Sequence, residues 1–100
     1  RLANALQDLG VNKGDRVACL SLNCHRAVEA KFALAKLGAV EVPLNSRFVG
    51  REISYIVNDA AAKVFLLGEE FRALVESVRA NLKSVESYVA VGGGKGMLDW

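Results

Sequence analysis

Four short apolar runs, at 16–21, 39–43, 63–67 and 88–91, alternate with segments whose apolar residues recur at helical spacing. Apart from Glu41 and the polar residues Arg16, Ser21 and Lys63 at their ends, the runs are continuously apolar instead of alternating, so both faces of the sheet they form are expected to be covered. Strand, helix, strand in strict alternation fits that demand in one way: a mostly parallel sheet with helices on both faces. Right-handed crossovers then restrict the topology to a doubly wound α/β arrangement.

The helical segments are as legible as the strands. Leu2, Leu6 and Leu9 share a face that Gly10 terminates, and Asn12-Lys13-Gly14-Asp15 turns the chain into the first strand. Asn23 is placed to cap a helix running from Cys24 or His25 to Leu37, stopped by Gly38. That helix is apolar over much of its surface (Ala27, Val28, Ala30, Phe32, Ala33, Leu34, Ala35, Leu37), with Arg26, Glu29 and Lys36 mostly on one narrow strip and Lys31 away from it. Such a helix expects partners on more than one side. Ile53, Ile56 and Val57 predict a short third helix ending at Asn58-Asp59. Phe71, Leu74, Val75, Val78 and Leu82 predict a fourth, with Glu69 and Glu70 suited to its positive end.

One hundred residues make one compact domain. A net charge of +2 with both signs scattered excludes a nucleic-acid-binding tail. No apolar run approaches the roughly 18 residues of a membrane span. Two cysteines and no signal-peptide pattern suit a reducing, cytoplasmic setting. The chain opens at Arg1 inside a helical repeat and ends on Leu98-Asp99-Trp100 with no closing element. It therefore reads as a segment of a longer polypeptide, the alternative being a processed small protein.

In doubly wound sheets, ligands gather at the carboxyl ends of the strands. Here those are the loops at 22–23, 44–50, 68 and 92–96. Gly92-Gly93-Gly94-Lys95-Gly96 invites a phosphate-loop reading, but Val89 and Gly96 stand where a Walker loop needs glycine and a hydroxyl. Met97 likewise defeats a dinucleotide fingerprint, so this is a connecting loop. His25 has no carboxylate close in sequence to orient it, and Cys19 lies in a buried strand. Cys24 has a helix start to lower its pKa but no partner, and no Cys/His/carboxylate spacing suits a metal. Arg47 and Arg51 differ, since they sit at the ligand edge and arginine binds phosphate through paired donors. Against this, Arg51 has Glu52 and Asp59 nearby as ordinary surface partners.

The residues also carry a resemblance. Gly14-Asp15-Arg16-Val17-Ala18, Asn23-Cys24 with Val28-Glu29-Ala30, and Phe32 through Val40 occur in order. Val42-Pro43-Leu44-Asn45, Arg47, Glu52, Tyr55-Ile56 and Asp59 follow. The ordered set resembles the N-terminal part of the adenylate-forming superfamily of acyl-CoA synthetases, luciferases and peptide-synthetase adenylation domains. Its flavour is nearest the bacterial-type fatty or aryl acid–CoA ligases. The likeness runs from about Arg1 to Val91 and marks residues 1–100 as part of a large N-terminal AMP-binding domain, with 92–100 a loop or the start of the next element.

The resemblance implies ATP, Mg2+ and coenzyme A as reactants and cofactor, and a small carboxylic acid as substrate. It also implies contacts with the remainder of the same polypeptide. The family's Ser/Thr/Gly-rich phosphate loop, adenine and ribose motifs and catalytic lysine have no counterpart in these residues, so no catalytic or metal-binding residue is expected here. The one functional position it carries over is Arg47, which in the family's Asn-x-Arg loop lies near coenzyme A phosphates. Two features depart from the family pattern: Ser46 replaces a common proline, and Val49-Gly50 replaces a Thr-Pro helix start. The competing expectation is a non-catalytic short α/β binding module or a truncated relic. A flavodoxin-like domain is disfavoured, lacking both a receiver's acidic cluster and a hydroxyl-rich first loop.

Overall fold

The computed structural model describes residues 2–21, 24–45, 47–93 and 96–100, with the Cys24 side chain left aside. The elements in chain order are α1 (Leu2–Asp8), β1 (Arg16–Leu20), α2 (Cys24–Leu37), β2 (Val40–Pro43) and α3 (Gly50–Ala60). Then come β3 (Val64–Leu67), α4 (Arg72–Val78), β4 (Ser87–Ala90) and β5 (Leu98–Asp99). The strands form one sheet in the order β2-β1-β3-β4-β5, every neighbouring pair parallel.

Alternation along each strand divides the interior in two. Val17, Cys19, Val64, Leu66 and Val89 face α1 and α2, where Leu6, Ala30 and Leu34 bury against them. Ala18, Leu20, Phe65, Leu67, Tyr88 and Ala90 face α3 and α4, packing on Ile53, Val57, Phe71 and Val75. The rings of Phe65 and Tyr88 stack across neighbouring strands with centroids 6.1 Å apart. Burial on both faces accounts for the apolar runs of β1, β3 and β4, whereas β2, at the sheet's edge, is exposed or half-buried along its length; the doubly wound reading is what the sheet shows.

Gly38 ends α2 as expected. Its φ of +73° turns the chain left-handed, so that the Ala39 N–H reaches back to the Leu34 carbonyl at 2.9 Å. The amino-terminal edge of the sheet is tied by Lys63, whose ammonium donates to the Gly10 carbonyl at 2.7 Å and lies 3.5 Å from Asp15. The backbone N–H of Asn12 holds the Asp15 carboxyl below its ordinary pKa against the opposing effect of burial, and Lys63 adds to the lowering.

Four expectations are corrected. α3 runs past Asn58-Asp59 to Ala60 and ends with Ala61 left-handed. Asn58 is otherwise engaged, donating to the Asn81 carbonyl at 2.8 Å and accepting from the Lys83 N–H. The fourth helical stripe is not one helix: α4 is flanked by 3-10 turns at Glu69–Phe71 and Arg79–Asn81. Phe71, Val75 and Leu82 still bury on a single side, because an apolar stripe fixes a face and not a hydrogen-bond pattern. The final residues, read as having no closing element, add β5 to the sheet. Finally, α2 is half-covered: Val28 and Phe32 on its outer face are 51% and 71% exposed. The proposed Asn23 cap lies outside the described residues.

Candidate functional site

The strand order reverses between β1 and β3, where a doubly wound sheet opens its ligand crevice. The chemistry there is acidic. The Gly68 N–H donates to the Leu20 carbonyl at 2.8 Å, and the Glu70 carboxylate folds over Gly68 beside the Ser21 hydroxyl. A carboxylate in that place repels phosphate.

In the loop after β4, the first two glycine amides are engaged within the chain. The Gly92 N–H donates to Asp99 Oδ1 at 3.0 Å and the Gly93 N–H to the Ala90 carbonyl at 2.9 Å, so those amides are already occupied. This agrees with a connecting loop. Gly94 and Lys95 lie outside the described residues.

That leaves the loop after β2. The Leu44 N–H donates to the Cys19 carbonyl at 3.0 Å, and the Leu44 side chain is buried, so the loop's root is anchored to the sheet. Asn45 then organises the turn. Its side-chain oxygen accepts from the Arg47 N–H at 2.8 Å, and its carbonyl accepts from the Phe48 N–H at 3.0 Å. Arg47 is exposed, and its guanidinium has no ion-pair partner among the described residues.

Next along the chain is an open groove of about 500 Å³ lined by Phe48, Arg51, Glu52, Tyr55 and Ile56. Tyr55 is 72% exposed. Arg51, expected to pair with Glu52 or Asp59, forms no ion pair among the described residues. Glu52 turns instead to the helix start, accepting the Val49 N–H at 2.9 Å. One arginine, two aromatic rings and the Glu52 carboxylate thus line the groove, and Arg47 precedes it in the chain by one residue; arginine and aromatic rings suit a phosphate joined to a flat, partly apolar group.

The remaining candidates are not assembled into a site. His25 is exposed in the first turn of α2, without a hydrogen bond among the described residues. The Cys19 thiol is buried, and burial, with the Glu41 carboxylate adding to it, pushes its pKa up to about 12. The helix-start argument for Cys24 concerns a side chain outside the described residues. Among the described residues no three His, Cys, Asp or Glu side chains come together to hold a metal ion. None of the described helices is long and apolar enough to cross a membrane.

The sequence reading missed a second groove, of about 630 Å³, between α1, α2 and β5. At its rim the Trp100 indole N–H donates to Glu29 Oε1 at 3.0 Å, Arg26 donates to the Trp100 carbonyl at 3.3 Å, and the Arg26 guanidinium lies 5.7 Å from the indole centroid. Arg26 and Glu29 had been visible only as surface charge, because their partner is more than seventy positions away.

The family model described as "AMP-binding enzyme" matches residues 1–98. A long-chain-fatty-acid–CoA ligase of Thermus thermophilus is 44% identical over 91 residues, which is 91% of this chain and 17% of that protein. Among solved structures, the anthranilate CoA ligase AuaEII in complex with anthranoyl-AMP superposes with a TM-score of 0.87 at 38% identity. The match covers 91% of this chain and 18% of that one. A fatty acyl CoA synthetase of Mycobacterium tuberculosis gives a TM-score of 0.86 at 34% identity, covering 90% and 18%. The chain therefore spans about a sixth of the length of these relatives.

Proposed function

Because this chain belongs to the AMP-binding enzyme family, we propose that it forms part of an ATP-dependent acid–CoA ligase, in which it builds one sheet of the AMP-binding domain. The supporting observation is the match over residues 1–98 together with close similarity to proteins named as CoA ligases. Fatty or aryl acids are the substrate class, in keeping with the names of those relatives. The reaction has two steps. A carboxylate oxygen attacks the α-phosphorus of ATP, and the bond to pyrophosphate breaks to leave an acyl-adenylate. The thiol sulfur of coenzyme A then attacks the acyl carbon, AMP departs, and the thiol proton is released.

The described residues offer no cluster of metal ligands, so no part of the Mg2+ chemistry is assigned to them. Their contribution is positional. β2 and the Asn45 turn present Arg47 at the carboxyl edge, and the groove lined by Phe48, Arg51 and Tyr55 follows it in the chain. In this reading Arg47 contacts a phosphate of coenzyme A during the second step only.

That restriction gives the test. In the full-length protein, Arg47→Ala raises the KM for coenzyme A by about tenfold, the worth of one exposed charge-assisted hydrogen bond. Adenylate formation, measured without coenzyme A, stays within about twofold. Equal loss in both half-reactions would assign Arg47 to folding instead.

A further inference from the structure

We propose that Arg72 and Arg79 are positioning residues which clasp the β4–β5 connection at both ends, and so hold β5 and Trp100 in register on the edge of the sheet. The problem they solve is topological. Parallel neighbours ordinarily need a crossover of a dozen or more residues, yet only positions 91–97 separate β4 from β5. A short return is possible because β5 is two residues long. The chain has to retreat only about 7 Å along the strand direction. Left-handed Gly92, Gly93 and Gly96 make the reversal sterically possible. Two paired residues cannot hold such an arrangement alone, and the arginines supply what the ladder lacks.

Each grips a carbonyl. Arg72 Nη2 donates to the Val91 carbonyl at 2.9 Å, where the chain leaves β4. Arg79 Nη2 donates to the Gly96 carbonyl at 2.8 Å, just before β5. Arg79 is itself fixed from two further sides: Glu76 Oε1 lies 3.1 Å from its Nη1, and its guanidinium carbon stands 4.4 Å from the Tyr88 ring centroid. Downstream of the clasp, the Trp100 N–H donates to the Ala90 carbonyl at 2.9 Å and the indole reaches Glu29 on α2. The clasp stands on the α3/α4 side, whereas Glu29 and the larger groove are on the α1/α2 side. The β4–β5 connection therefore links the two faces of the sheet.

Hydrogen exchange of the full-length protein, resolved by peptide, tests this. Arg79→Met keeps much of the apolar stem and removes the donors. It should accelerate exchange in peptides covering 91–100 at least tenfold and leave those covering β1 unchanged. Arg72→Met removes the donor to the Val91 carbonyl at the other end of the connection and leaves the glycines untouched. It should reproduce the local acceleration, and it decides the matter if Arg79→Met does not fold. Unchanged exchange over 91–100 in the folded variants, or equal acceleration in β1, would overturn the proposal.

Discussion

Val49 begins α3 from an extended conformation but brings no side-chain acceptor to the helix start. Only the return half of a capping box is made, with Glu52 accepting the Val49 N–H. Val49→Thr would add the missing acceptor without disturbing Glu52. It should raise stability by about 1 kcal/mol, read as a higher unfolding midpoint in urea; an unchanged or lowered midpoint would show that the first-turn amides are already satisfied by other means. Cys19 carries a second expectation at this scale. A thiol whose pKa stands near 12 has almost no thiolate at neutral pH. Iodoacetamide at pH 8 should leave the peptide containing 16–20 unmodified until denaturant is added, and labelling of the native protein would contradict the burial described. Cys19 was legible from sequence because its neighbours Val17, Ala18 and Leu20 are all apolar. Arg26 and Glu29 were not, because their partner Trp100 is distant in sequence and adjacent only once β5 has formed.

Elements were legible where one residue pattern carried the whole signal. β1 and β3 are apolar on both faces, and α3 shows a clean stripe. β5 gave no such signal: it is two residues long, and Leu98 is half exposed at the sheet's edge. The breaks around α4 were equally silent, since a 3-10 turn can keep the same buried face. The contact between α3 and α4 depends on a position the sequence marked only as a departure from the family's pattern. A carbon added at Gly50 would lie 2.5 Å from Val78 Cγ1, so these helices meet closely because residue 50 has no side chain. Gly50→Ala should cost about 1–3 kcal/mol through overpacking, while the corresponding change at the exposed Gly14, where nothing stands within 4 Å, should leave the α3–α4 contact intact. Near-equal α3 and α4 exchange rates in the two variants would contradict this packing account.

For the whole molecule, the doubly wound sheet places its polar chemistry unevenly. The Glu70 carboxylate occupies the switch between β1 and β3, whereas Arg47 and Arg51 stand free of ion pairs among the described residues beyond β2. That asymmetry favours a phosphate-bearing group at the outer corner over one in the central crevice. Residue type and position had marked Arg47. The occupied crevice could not be seen in advance, since it depends on Glu70 folding over Gly68 beside Ser21. The outer face of α2, with Val28 and Phe32 exposed, is not covered by any of the described residues. The most direct measurement of the ligase reading is exchange of labelled pyrophosphate into ATP by the full-length protein, with Mg2+ present and coenzyme A omitted, across a panel of fatty and aryl acids. Exchange that requires one of those acids is the predicted result. A folded protein that shows no acid-dependent exchange with any of them would contradict the ligase reading.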